Sequence, residues 1–185
     1  SFAHCSKSGA KFDFEKAKWF NHEYLMATDD AVLADLFKPV LAEHVDVAQF
    51  TDEYIAEAVG TVKNRINFVK DLWTNAAFYF QAPVEYAPKD VKKRWKEDTP
   101  KLMGELITVL EGIADFSDAA ATEATVMAWI KGNEYHMGNV MNAFRLTVVG
   151  ECKGPHMFEI TRLLGKEETI ARIKRGVEAI HLPNE

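Results

Sequence analysis

Arg145, Gly154-Pro155, His156 and Met157-Phe158 fall within fourteen positions of the chain. Recognition of single-stranded bases needs three kinds of group. Directional donors meet base edges, platforms stack against bases, and small residues let a backbone come close. All three kinds are present here. A turn between two packed helices would use the same residues, and at this level both readings stand.

Other chemistries are poorly supplied. Cys152 and His156 are four apart and His4 neighbours Cys5, but a closed zinc site needs four ligands, and nothing completes either pair. Glu134 and His136 are isolated. A helical di-metal site needs a Glu-x-x-His pair on each of two helices, and no two such pairs occur. Cys5 and the Ser and His residues carry no local signature of a catalytic nucleophile. Leu164-Gly165-Lys166-Glu167 is no phosphate loop: there is no glycine five residues before Gly165, and Glu stands where Ser or Thr would hold magnesium. Gly165 reads better as the end of an apolar helix. No catalytic residue and no metal ligand is expected.

Helices must position the segment. The spacing predicts one from Asp13, a capping residue, to about Ala27, with Phe14, Ala17, Phe20, Tyr24 and Leu25 on its apolar side. A second should run from Ala31 to Phe37, with Pro39 interrupting or kinking the path towards Val45. Thr51 caps a long stretch from Asp52 to about Phe80, and Gly60 and Asn64 predict two helices or a bend near residues 64–66. After Gln81-Ala-Pro-Val-Glu-Tyr-Ala-Pro comes a short basic helix, Lys89 to about Lys96. Thr99 is expected to cap the next, with Pro100 at its first position. Leu102, Leu106, Val109, Leu110 and Ile113 lie on one stripe of it. Ser117 or Asp118 opens another that ends at Gly132-Asn133, and Val140–Val149, Phe158–Leu164 and Glu167–Ile180 complete the set. The chain reads as all-α, with eight to ten helices and a joint near residues 81–99.

Composition agrees. Apolar residues make up 48% and charged residues 27%, which suits a folded domain. Gly and Pro together number only 16 of 185, few for the turns of an all-β sandwich. Cys5 and Cys152 form no disulfide framework and suggest reduced thiols in a cytoplasmic protein. No apolar run approaches the ~20 residues of a membrane span. The polar start, SFAHCSKSGA, is no signal peptide. It has no initiator Met, and a processed or truncated chain is expected.

The formal charge of −6 alone argues against a nucleic-acid partner, but its distribution matters more. Residues 29–57 carry a net −7 and residues 105–134 a net −5, whereas 89–96 carry +4 and 145–175 carry +3. A folded molecule could show a basic strip within an acidic total. Unrelated solvated helix faces would give the same numbers. A helical protein-interaction module, its acidic faces turned to a basic partner, is the alternative reading.

Two segments match a known family. FDFEKAKWFNHEYL (12–25) resembles the FD-x-x-K-x-x-W-x-N-x-x-Y-[IL] segment that follows the catalytic part of bacterial glutamyl-tRNA synthetases, and the preceding Ser6-Lys7-Ser8 fits that entry into it. FRLTVVGECKGPHMFEITRLLGKEETIARI (144–173) resembles that family's ending, in which Arg-x-x-x-x-Gly leads through a Pro loop to Phe-Glu-Ile and Leu-Gly-Lys-Glu. The resemblance covers nearly the whole chain. It implies an anticodon-binding region of two α-bundle subdomains, here residues 13–85 and 86–185 behind a connecting segment 1–12. It implies a glutamate tRNA as partner, a monomer, and no cofactor in this part. ATP and magnesium would be bound by a catalytic domain whose motifs are absent here, so this chain alone should neither activate glutamate nor bind ATP. Tyr54-Ile-x-x-Ala-Val…Lys63-Asn64-Arg65 matches the family helix whose terminal Arg bonds the third anticodon base, a cytosine. Arg65 falls on that Arg, with Lys63 as a phosphate or base neighbour. Arg145, Gly154, Pro155 and Met157 fall on positions around the first anticodon base. Some relatives have Thr at the position of Gly154, so a backbone contact is expected there in place of a side-chain one.

Overall fold

The computed structural model describes residues 13–182. The connecting segment 1–12, with His4, Cys5 and Ser6-Lys7-Ser8, lies outside the described residues. Within them the protein is all-α: ten α-helices, two short 3-10 turns and no strand. They are α1 (Phe14–Ala27), α2 (Asp30–Leu41), α3 (Asp52–Val62), α4 (Asp71–Phe80), α5 (Pro88–Arg94), α6 (Thr99–Glu111), α7 (Ala119–Gly132), α8 (Met137–Val149), α9 (Met157–Leu164) and α10 (Lys166–Ala179). The 3-10 turns are Val47–Gln49 and Lys63–Arg65. No described helix is long and apolar enough to cross a membrane.

The helices pack as two groups over one continuous apolar core. α2, α3 and α4 form the first, and α6 to α10 the second, with α5 lying on α8. α9 crosses between them and touches both α3 and α4. Leu33, Phe37, Ile55, Val59 and Val62 fill the first group, and Leu106, Val140, Phe144, Phe158 and Ile173 the second.

Capping fixes most of the boundaries. Asp13 accepts from Lys16 N, Thr51 from Tyr54 N and Asp118 from Ala121 N, each satisfying an otherwise unpaired first-turn donor. Four expectations need correction. Pro39 does not interrupt α2 but sits in its last turn. Its missing donor costs only one bond there, and buried Phe37 and Leu41 hold the turn to the core. Thr99 is the first residue of α6, not its cap, and its hydroxyl accepts from Lys96 N behind it (2.8 Å). α8 begins at Met137, before the expected Val140, because the His136 ring accepts from Asn139 N and caps the helix. Finally, only Leu25 of α1 is buried, while Phe14, Phe20 and Tyr24 are each more than half exposed. Helical spacing says where apolar residues lie, not what covers them.

Candidate nucleic-acid interface

The first candidate segment is the break between α3 and α4. Val62 and Ile66 are fully buried on either side of the 3-10 turn, so the intervening Asn64 and Arg65 are pushed to the surface. Asp71 closes the far side, its carboxylate accepting from the backbone of Asn67 (3.1 Å) and Phe68 (2.9 Å). α1 closes the near side. The His22 ring bonds Ile66 O (2.7 Å), and the Asn21 amide donates to Asn67 O.

The second segment, residues 150–156, joins α8 to α9. α8 ends at Gly150 with φ of 94°, a left-handed cap that glycine adopts at little cost. A side chain at this position would also collide with the neighbouring strand of backbone: a Cβ would lie 2.9 Å from Pro83 Cβ and 3.0 Å from Glu85 O. The glycine of the Arg-x-x-x-x-Gly pattern therefore has two physical reasons. The Gly150 carbonyl accepts from Ala87 N (2.8 Å), which fastens the start of α5 to the loop.

The two segments meet. The Arg65 guanidinium donates to Gly154 O at 2.7 Å, across 89 positions of sequence. Arg145 donates to Pro155 O at 2.7 Å, so the two arginines grip consecutive carbonyls. Gly154 has φ of 138°, and an added Cβ would stand 3.2 Å from Arg145 Nη1. Burial pulls the Arg145 pKa down, with the Cys152 thiol acting the other way and the charge of Arg65 adding to the depression. Their bonds to consecutive carbonyls bring the two guanidinium groups to the same loop. Neither has a carboxylate within 4.0 Å among the described residues. A guanidinium carries five N–H donors, and each of these uses one on the loop. Donors remain for a base edge or phosphate, held in a fixed plane.

Not every expected residue joins this cluster. Lys63 is turned back to the start of α2, where its ammonium binds Asp30 (2.7 Å) and Thr28 O (3.1 Å). Met157 is buried as the first residue of α9, packed with Phe158 and Ile160. Pro155 is buried too, and its carbonyl faces Arg145. His156 remains exposed, its ring 5.8 Å from that of Phe158 and its Nε2 3.4 Å from Glu123.

Cys152, Lys166 and Gly165 each have a defined structural setting. Burial pushes the Cys152 thiol up to about 11, which removes the thiolate a nucleophile needs. Lys166 donates to Ile113 O (2.7 Å), and Gly165 caps α9 through its N–H to Thr161 O (2.9 Å). Among the described residues no three His, Cys, Asp or Glu side chains gather as a metal site.

Sequence reasoning missed what locks the two helix groups together. Arg172 is 3% exposed, yet it donates to Phe78 O (2.6 Å) and Val148 O (3.1 Å) and binds Glu168 (2.7 Å). The signal was present: position 172 lies on the buried stripe with Thr169, Ile173 and Gly176. A cation on such a stripe must find acceptors inside. Arg162 adds a second link, reaching Glu57 on α3 at 2.6 Å.

Comparison with known proteins fits this geometry. A family model described as "Anticodon binding domain" matches residues 32–177, which spans both arginine segments. Glutamate–tRNA ligases of Bacteroides fragilis and Porphyromonas gingivalis are 57% and 54% identical over 176 residues, 95% of this chain and 34% of each relative. The crystal structure of a glutamate tRNA ligase from Elizabethkingia meningosepticum, in complex with its amino acid, superposes with a TM-score of 0.82. It is 36% identical over 90% of this chain and 32% of its own. The glutamate-tRNA synthetase of Elizabethkingia anophelis gives 0.78 at the same identity. The chain thus spans about a third of the length of the relatives it matches. With a match over most of its length and both motifs in family order, the chain belongs to the anticodon-binding domain family, in the form found in glutamate–tRNA ligases.

Proposed function

We propose that this chain is the C-terminal anticodon-binding region of a bacterial, cytoplasmic and monomeric glutamate–tRNA ligase, and that it reads the anticodon loop of the glutamate tRNA. The observation that carries the reading is the Arg65–Gly154 bond beside Arg145. It unites two segments, each expected to meet a different end of the anticodon, into one uncompensated cationic surface. Arg65 would read the third base, a cytosine, and Arg145 with the backbone of Gly154 and Pro155 would surround the first. Arg65 is exposed and its planar donors suit a base edge. Residues 13–85 and 86–185 act as two subdomains, one for each end of the triplet, and 1–12 as the connection to the rest of the ligase. Attachment of glutamate, with its ATP and magnesium, belongs to that remaining part.

The test is binding of an RNA stem–loop carrying the glutamate anticodon, against a stem–loop of equal length with a scrambled loop. Preference for the first is expected. Equal affinity for both, together with a nuclease-resistant protein partner in a pull-down, would return the chain to the alternative of a protein-interaction module with acidic faces.

A further inference from the structure

The helix most strongly cationic in sequence is fastened to the loop that carries Gly154. Ala87 N binds Gly150 O at 2.8 Å, and the Asp90 carboxylate accepts from Cys152 N at 2.7 Å. Trp95, 2% exposed, and half-buried Val91 anchor the inner face of α5. This leaves Lys89, Lys93 and Lys96 exposed, with Arg94 half-buried on the same flank as Asp90. Residues one turn apart share a face, so Asp90 and Arg94 look towards the loop and Lys89 and Lys93 form the adjoining crest.

Of the twenty Lys and Arg among the described residues, twelve have no carboxylate within 4.0 Å, and five of those twelve are gathered at residues 89–96. Lys38, Lys63, Lys101, Lys153, Arg162, Lys174 and Arg175 each have a carboxylate within 4.0 Å. None of Lys89, Lys92, Lys93, Arg94 and Lys96 does among the described residues. The only acid of the helix, Asp90, is spent on the Cys152 backbone, and Glu151 of the loop is matched by Lys153 at 3.2 Å. Like charges one turn apart repel, which disfavours the Lys89/Lys93 pair in the free protein.

We propose that the α5 crest, Lys89 and Lys93, with Arg94 on the adjoining loop-facing flank, is a phosphate-backbone rail for the RNA strand whose bases enter the Arg65–Arg145 site. This rests on the anticodon reading above. The rail positions the strand and carries no base information, as phosphate contacts generally do. It also explains how an acidic protein holds a polyanion: the positive charge is concentrated beside the reading loop instead of being spread over the surface.

The experiment uses full-length protein with Lys93→Gln and Arg94→Gln together, and the anticodon stem–loop in two forms, native and altered at the third anticodon base. Affinity is measured across a salt series. Each lost single-strand phosphate contact lowers the log–log salt slope by about 0.7, so the double variant should lose about 1.4. The extra affinity lost between about 50 and 200 mM salt then shrinks roughly sevenfold. Both RNAs should weaken by the same factor. An unchanged slope in a folded variant overturns the rail, as does a loss confined to one RNA. If the double variant does not fold, Lys89→Gln with Lys93→Gln on the exposed crest makes the same prediction. Arg65→Ala is the control that separates the two claims. Lost discrimination there with an unchanged slope in the α5 variant rejects only the rail. Absence of any preference in the unsubstituted protein rejects the anticodon reading itself.

Discussion

Replacing Arg172 by Met should destabilise the protein by about 2–3 kcal/mol. The arithmetic starts from the acceptors. Phe78 and Val148 each stand among the last four residues of a helix, α4 and α8, where carbonyls have no intrahelical donor. Arg172 supplies donors to both, and as a cation it also complements the negative ends of two helix dipoles. Each buried acceptor left unpaired costs about 1–3 kcal/mol, so two cost about 2–6. Relief from burying a charge offsets part of this. Burial pulls the Arg172 pKa down, which shows that the charge is held at some expense, although the hydrogen bond to Glu168 opposes the shift. Met matches the length of the aliphatic stem, so a cavity is not the main effect. The assay is urea unfolding of the variant and parent, read from the midpoint at constant slope. Arg172→Lys should recover less than half the loss, because one ammonium cannot span three acceptors on two helices and Glu168. A loss below about 1 kcal/mol for Met would refute the reasoning, since the carbonyls would then have other partners.

Gly150→Ala should cost about 2–3 kcal/mol by thermal or chemical unfolding, combining left-handed strain with the collision against Pro83 and Glu85. A cost under about 0.5 kcal/mol would mean the residue 83–85 segment moves aside freely. Cys152, in a Cys5→Ser background, should react with a thiol reagent at pH 8 roughly 100-fold more slowly than an ordinary thiol, because its pKa of about 11 leaves little thiolate. Its rate should rise about tenfold per pH unit and level off only above about pH 11. Lys63→Met should affect stability more than RNA affinity, since the ammonium is committed to Asp30 and Thr28 O. A large loss of RNA affinity with unchanged stability would restore Lys63 to the recognition surface.

The helices were legible because their signals are local. Asp13, Thr51 and Asp118 cap as their residue types suggest, and the Lys63–Arg65 break overlaps the bend expected near residues 64–66. Pro39 misleads for a similarly local reason: a proline near a C-terminus costs one bond, which core packing outweighs. Long-range facts were beyond reach. Periodicity cannot show that Arg65 meets Gly154, that Asp90 reaches Cys152, or that Arg172 caps two helices at once. Nor can it show that Phe14, Phe20 and Tyr24 stay exposed. Motif matching located the arginines, while side-chain direction separated them from Lys63 and Met157, which sequence alone had set beside them.

The central claim is that Arg65 reads the third anticodon base from a site it shares with the 150–156 loop. The most direct measurement is a double-mutant cycle between Arg65→Ala and a change of that cytosine, with Kd for the stem–loop as the readout. A coupling energy of about 1–3 kcal/mol is predicted, with the variant binding both RNAs almost equally. A coupling near zero, with the base change still costly to the Arg65→Ala variant, would contradict the assignment.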